Sequence, residues 1–192
     1  MPSFVKSIGQ LFNAVLKSSA RVREYVLDSG AIQAIKTEND IDELIRLAHI
    51  IWPEHYTAII GSAQVEYMLA AFHGKPYLQA QIENDNFHYF LIKHEAESLG
   101  YIGVQVRDGE VFLSKLYVLS SARGRGVGKL AMNFVMDFAR QLAAKCVTLT
   151  VNKYNTNTIA AYHKMGFVTT GEICVDIGEG YQMDDYEMAL AL

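Results

Sequence analysis

The sequence lacks the features that mark several special classes of protein. Only two of its 192 residues are cysteines, Cys146 and Cys174, too few for a disulfide framework or a zinc site, so we expect reduced thiols in a cytoplasmic protein. The six histidines are scattered singly, and we expect no metal. A formal net charge of −4 lacks the basic excess of a nucleic-acid-binding protein, so no nucleic-acid partner is expected. No apolar run approaches the roughly 18 residues of a membrane span, so no transmembrane segment is expected.

Length and composition predict one globular domain, residues 31–192, preceded by an added element. A chain of 192 residues with 51% hydrophobic content can bury a single core. Residues 1–30 are predicted to form an amphipathic helical extension, which is basic and has no acidic residue before Glu24. Its composition fits a transit peptide or a membrane-surface helix. We favour a helix packed on the domain or on a partner subunit, as in a homodimer.

The first half of the domain is predicted to contain one strand and two helices. Residues 31–36 alternate as a strand does. Asn39 is expected to cap a first helix that stops before Pro53. Ser62 is expected to cap a second helix that ends at Gly74.

Several strands are predicted for the middle and the end of the domain. Residues 87–93 and 100–107 read as strands, with turn signals at Glu97-Ser98 and at Asp108-Gly109. The closing strands are expected to end near Val175 and to run over 186–190, joined by a loop containing Gly178 and Gly180. The middle of the sheet is therefore predicted to be antiparallel.

A strand, a glycine loop, a helix and a second strand form the central unit. Residues 111–119 and 146–151 are rich in β-branched, aromatic and aliphatic side chains, which favour strands. Between them, apolar residues recur at three- and four-residue spacing from Val127 to Leu142, which predicts an α-helix.

The glycine loop has the composition of a phosphate-binding site. Gly124, Gly126 and Gly128 leave the backbone free to turn and to point N–H groups at a ligand where the helix begins. The P-loop pattern fails, since Arg123 and Leu130 stand where it requires Gly and Ser or Thr. A dinucleotide-binding pattern lacks the acidic residue expected about 20 residues later. The remaining pattern, [Q/R]-x-x-G-x-[G/A], is satisfied.

Two segments carry a resemblance to a known family. The segment 123–128 resembles the loop with which GNAT-superfamily N-acetyltransferases hold the pyrophosphate of acetyl-coenzyme A. The segment 155–167 resembles that superfamily's N-x-x-A-x-x-x-Y-x-x-x-G-F block, with Thr158 at the small-residue position. The matching residues of this block are Asn155, Tyr162, Gly166 and Phe167. The resemblance implies an α/β (α+β) fold in which helices flank a mixed, mostly antiparallel sheet.

The resemblance also implies acetyl-coenzyme A as cosubstrate and a set of site residues. Tyr162 would be the general acid for the leaving sulfur, since a phenol with a pKa near 10 is protonated at neutral pH. Asn155 would cap its helix, contact the cofactor, or both. The implied cofactor-binding residues are Tyr117, Val118, Leu119, Arg123, Gly124, Arg125, Gly126, Val127, Gly128, Lys129, Asn155 and Lys164.

The acceptor side has weaker signals. Glu54, His55 and Tyr56 follow the predicted helix end at Pro53 and are candidates to bind the acceptor, and Glu54 or His55 is a candidate to take its proton. Glu110, at the start of the central strand, is a further candidate.

The closing segment resembles PaiA-type spermidine/spermine acetyltransferases and favours a small-molecule amine, such as a polyamine, as acceptor. Every charged residue after Lys164 is acidic, and such a field attracts cations, with Asp184 and Asp185 as candidate contacts. These acidic residues are Glu172, Asp176, Glu179, Asp184, Asp185 and Glu187. The same charges also fit a solvated sheet edge. Two other functions stay open: a non-catalytic acyl-coenzyme A-binding sensor or assembly subunit, and an acetyltransferase acting on protein or peptide amines.

Overall fold

The structure is a computed structural model that describes residues 32–84 and 86–192. The predicted extension over 1–30 lies outside the described residues. The described helices are α1 (Glu38–Ile60), α2 (Ser62–Phe72), α3 (Lys75–Glu83), α4 (Val127–Gln141) and α5 (Thr156–Lys164). The strands are β1 (Ile32–Ala34), β2 (Phe87–His94), β3 (Glu97–Arg107), β4 (Glu110–Val118), β5 (Cys146–Asn152), β6 (Val168–Gly178) and β7 (Tyr181–Ala191).

The seven strands form one mixed sheet, which confirms the predicted fold class. Their order is β1-β2-β3-β4-β5-β7-β6. The β4–β5 pair is parallel, and every other described pair is antiparallel. The predicted Asp108-Gly109 hairpin is confirmed, with Gly109 at φ 74°.

The sheet separates two hydrophobic cores. Phe90 and Ile92 of β2 pack in the core that contains α4, whereas Tyr89 and Leu91 pack in the core under α1, α2 and α3. Alternate residues of a strand face opposite sides of a sheet, so these helices cover opposite faces. The two layers bury both faces of the strands that surround the central unit.

Helix α1 does not stop at Pro53, contrary to the prediction. Thr37, and not Asn39, is the N-cap, and it forms a capping box with Asp40. The helix continues through Pro53 to Ile60 although proline removes one backbone hydrogen bond. Tertiary packing on both sides of the proline outweighs that loss, since the rings of Trp52 and Tyr56 pack on Tyr117 of β4, at centroid distances of 5.5 and 6.2 Å.

Other elements also differ from the prediction, and Gly61, not Ser62, is the N-cap of α2. Helix α3 was not expected: Gly74 is its N-cap and Pro76 lies in its first turn, where proline suits a helix start. The β2–β3 turn lies at Glu95 and Ala96, not at Glu97-Ser98. The last two strands are longer than predicted and join through a tight turn at 179–180, so Gly178 belongs to a strand.

Strand β4 changes the face to which its side chains point. Its pairing with β3 shifts between Leu113 and Lys115, so Ser114 is the extra residue of a β-bulge. Val111 and Leu113 face the α4 side before the bulge, and Leu116 faces that side after it. The bulge therefore turns Lys115 and its neighbour Tyr117 toward α1.

Strands β3 and β4 approach each other closely at Gly100, which leaves no room for a larger residue there. A Cβ atom added at Gly100 would overlap the backbone carbonyl oxygen of Tyr117. We expect Gly100→Ala to lower the free energy of unfolding by about 1–3 kcal/mol, as overpacking does. Urea denaturation measures the change. Gly128→Ala is the control, because its added Cβ meets open space; equal stability of the two variants would contradict the prediction.

Candidate functional site

A cavity of about 300 Å³ lies between the sheet and helices α1 and α2. Strand β4 forms its floor with Phe112 to Tyr117, and β5 contributes Thr150 to Asn152. The other lining residues are Trp52, His55, Tyr56, Ile60, Gln64, Met68, Phe72, His73, Tyr77, Asn155, Thr158, Tyr162, Gln182, Met183 and Asp185.

The cavity exists because β4 and β5 part. Their pairing runs from Glu110 opposite Cys146 to Leu113 opposite Leu149 and then ends, although both strands continue. The β4 backbone groups that point toward β5 beyond Leu113 are thus not used in that ladder. The gap also lets Tyr162 line the cavity, although α5 packs on the α4 side of the sheet.

The glycine loop follows β4 after a short 3₁₀ turn at Ser120–Ala122 and lies outside the lining of the cavity. Gly124 and Gly126 adopt left-handed φ values of 73° and 85°, and Gly126 is the N-cap of α4. The first N–H groups of a helix have no partner within it, so this helix start can bind an anion. Arg125 and Lys129 are exposed beside it. Arg123 is also exposed, and its Nε donates to the carbonyl of Val118, 3.0 Å away.

Tyrosine hydroxyls surround the gap. Burial raises the pKa of Tyr56, Tyr117 and Tyr162 above the usual value of 10. The ring centroids of Tyr56 and Tyr117 are 6.2 Å apart, and the ring of Tyr162 packs 5.5 Å from that of Phe167. All three phenols therefore keep their protons at neutral pH and can donate hydrogen bonds.

His55 and Asn155 form a polar pair on the cavity wall. The Nδ2 atom of Asn155 lies 3.0 Å from Nε2 of His55. Asn155 occupies the N-cap position of α5, but its buried side chain makes no capping hydrogen bond, so the expected side-chain cap is absent there. Burial, and secondly the charge of Arg123, lower the pKa of His55 below 6.5. The imidazole is therefore neutral at pH 7.

The other candidates on the acceptor side do not all line the cavity. Glu54 and Glu110 do not line the cavity, whereas Tyr56 does. Glu54, His55 and Tyr56 follow Pro53 within helix α1, not in a loop after it. Lys164 is exposed at the end of α5, where Gly166 at φ 96° confirms the predicted left-handed helix stop.

The acidic C-terminal strands are not a field of one sign. Lys153 forms ion pairs with Asp184 at 2.6 Å and with Glu172 at 2.8 Å. The expectation of an uncompensated acidic surface is therefore wrong for these two carboxylates. Asp185 differs, because it is buried and lines the cavity, and burial raises its pKa although Thr150 donates a hydrogen bond to it.

The sequence prediction missed a polar group deeper in the cavity. Trp52 Nε1 donates to the hydroxyl of Tyr101 at 3.1 Å, and that hydroxyl lies 3.2 Å from Nε2 of His73. Burial, and secondly the charge of Lys115, lower the pKa of His73 to about 3, so this imidazole is neutral. Lys115 could have been found from the sequence, because it is a charged residue inside the apolar run of β4. No sequence pattern marks His73.

Two other kinds of site are absent from the described part of the chain. Within residues 32–84 and 86–192, no helix is long and apolar enough to cross a membrane. The same residues hold no group of three or more His, Cys, Asp or Glu side chains that could bind a metal ion.

Comparisons with known proteins point to one family. The sequence model of the Acetyltransferase (GNAT) family matches residues 44–167. The 5-NmdU N-acetyltransferase of Pseudomonas phage PaMx11 is 28% identical over 122 residues, which are 62% of this chain and 85% of that protein. The peptidyl-lysine N-acetyltransferase YjaB of Salmonella typhimurium is 32% identical over 83 residues, which are 43% of this chain and 53% of the relative.

A solved structure has the same fold. The PaiA N-acetyltransferase of Thermoplasma acidophilum, crystallised with coenzyme A, superposes with a TM-score of 0.68 at 18% identity. The superposition covers 84% of this chain and 99% of that one.

Proposed function

The chain belongs to the acetyltransferase (GNAT) family, and from this membership we propose that it is an acetyl-coenzyme A-dependent N-acetyltransferase. It moves the acetyl group directly from the thioester to a primary amine. One observation carries the proposal: the gap between β4 and β5 opens at the end that leads into the glycine loop, with Tyr162 and His55 lining the same cavity. The coenzyme A complex of the PaiA relative supports the choice of cosubstrate.

The cofactor is proposed to lie along the glycine loop and into the gap. The N–H groups at the start of α4 bind the pyrophosphate, assisted by the charges of Arg125 and Lys129. The backbone around Tyr117 and Val118, which has no partner on β5, holds the pantetheine arm and the thioester oxygen. Asn155 contacts the cofactor from the cavity wall, where its amide also contacts His55.

The proposed reaction needs one proton acceptor and one proton donor. His55, neutral at pH 7, takes a proton from the bound ammonium, and the resulting amine attacks the thioester carbon. The C–N bond forms, the C–S bond breaks, and the hydroxyl of Tyr162 gives a hydrogen to the departing sulfur. The raised pKa of Tyr162 weakens it as an acid but keeps that hydrogen in place.

A polyamine acceptor stays a prediction, and the charges of the site count against it. Asp184 and Glu172 share one cationic partner, Lys153, which offsets one of their two negative charges. Within the cavity, Asp185 is the acidic lining residue and Lys115 the basic one. A polycation would therefore meet one carboxylate and one ammonium.

Two other functions make different predictions. A non-catalytic acyl-coenzyme A sensor would need the glycine loop but not the buried hydroxyl of Tyr162. An acetyltransferase acting on protein amines, as the name of the Salmonella relative states for that protein, would share the chemistry and differ in its acceptor. Thiol release, measured over small amines, amino acids and peptides, separates the sensor from the enzyme.

Gly126→Val tests the cofactor loop. A β-branched residue at φ 85° is strained. We expect the affinity for acetyl-coenzyme A to fall by on the order of 10-fold or more, measured by calorimetry. Gly109→Val places similar strain at φ 74° in the β3–β4 turn and should leave that affinity unchanged. Unaltered binding by the Gly126 variant would remove the loop from the cofactor site.

Tyr162→Phe tests the proton donor. We expect turnover to fall by on the order of 10²-fold while acetyl-coenzyme A affinity is kept, because only the transition state uses the hydroxyl. Single-turnover kinetics and calorimetry measure the two quantities. Tyr154→Phe, which alters an exposed hydroxyl, is the control. A Tyr162 variant with normal single-turnover rates would show that the hydroxyl is structural.

His55→Gln tests the proton acceptor through the pH dependence of kcat/KM. The base must be unprotonated, and its pKa is lowered, so kcat/KM should rise with pH through an ionisation below pH 6.5 and then level off. We expect the His55 variant to lose that step and the exposed control His94→Gln to keep it. Persistence of the step in the His55 variant would assign the proton to another group.

A further inference from the structure

Lys115 is a buried cation that faces the cavity without an anionic partner. Its side chain lines the cavity, and the residue is only 8% exposed. Among residues 32–84 and 86–192, none of the ion pairs or hydrogen bonds involves its ammonium group. Burial lowers the pKa of Lys115 to about 8, so most of the ammonium is still charged at pH 7.

The fold builds a specific place for this side chain. The β-bulge at Ser114 turns Lys115 toward α1, and Gly103 lies directly opposite it on β3. A Cβ atom at Gly103 would lie 2.7 Å from the ring of Tyr89 and 3.3 Å from Cβ of Lys115. The glycine therefore makes room for the stem of the lysine beside the tyrosine.

The surroundings leave the charge only partly compensated. The Nζ atom lies 5.6 Å from the ring centroid of Tyr89 and 6.0 Å from that of Tyr77, at the outer limit of cation–π contact. His73 is neutral and adds no anion. A charge taken out of water is unfavourable unless it is paired, and the cavity is the side on which a partner can enter.

We propose that the acceptor of acetyl transfer carries a carboxylate as well as its amine, and that Lys115 binds this carboxylate. The acceptor is therefore of the amino-acid type, not a polyamine. This inference rests on the proposed acetyltransferase function and adds the substrate class.

The second charge of the cavity agrees with such an acceptor. Asp185 lies on β7, which is separated from β4 by β5 alone, and its side chain lines the same cavity. Two regular strand spacings are on the order of 10 Å, and the parting of β4 from β5 beyond Leu113 makes this separation larger. The carboxylate of the acceptor would bind at the Lys115 end, while its ammonium approaches Asp185, His55 and the gap between the strands.

Matched acceptors test the proposal with the full chain. Amino acids of increasing amine-to-carboxylate distance are compared with their amides, which replace the carboxylate with an uncharged group of similar size. For the best amino acid, the amide should have a KM about 10- to 100-fold higher. This ratio corresponds to the free energy of a hydrogen bond to a charged group. Lys115→Met should raise the KM of the acid by a similar factor and leave that of the amide unchanged. Lys115→Arg should restore part of the difference.

The controls separate binding from structure. Lys145→Met, which changes an exposed lysine before β5, should leave both KM values unchanged. Lys115→Met should unfold at the same or a higher temperature, since it removes an unpaired buried charge. A lower melting temperature with unchanged KM values would assign Lys115 a structural role and overturn the proposal.

Other outcomes distinguish this inference from the function on which it rests. If spermidine or the amides release thiol as efficiently as the acids, the enzyme is an acetyltransferase but the carboxylate proposal is wrong. If acetyl-coenzyme A does not bind, or no amine releases thiol, the proposed function itself fails and the inference fails with it.

Discussion

The divergence of β4 from β5 after four residue pairs is the constraint on which the site depends. A continuous parallel ladder would use the backbone groups at the end of β4 and would separate the two faces of the sheet. Because the ladder stops, α5 can contribute Tyr162 from one face while α1 contributes His55 from the other. The bulge at Ser114 acts on the same strand and decides which side chains reach the opening.

Features encoded within a few residues could be predicted from the sequence. Helix α4, the Asp108-Gly109 hairpin and the stop at Gly166 depend on local periodicity or on a backbone that glycine adopts easily. The passage of α1 through Pro53 depends instead on packing against the sheet, which local signals do not contain. The orientation of Lys115 depends on a bulge, and a one-residue shift in a strand exchanges its two faces.

Burial determines the protonation states in the cavity. It keeps His55 and His73 neutral and the tyrosine hydroxyls protonated, so few groups in the lining carry charge. Charges that remain in such a space are screened by salt less than those on the surface. The ion pairs of Lys153 lie outside this space and are more exposed to screening. Selection of an acceptor by charge thus depends on the interior of the site more than on the acidic surface strands.

The strand order β5-β7-β6 has a consequence for biosynthesis. Strand β7 completes one wall of the cavity with Gln182, Met183 and Asp185, and it follows every other lining residue along the chain. The glycine loop and the tyrosine cluster are therefore synthesised before the strand that supplies this wall. The β6–β7 hairpin is local in sequence and can form quickly, but β7 must still dock on β5. During translation, the glycine loop is thus synthesised before the strand that closes this wall of the cavity.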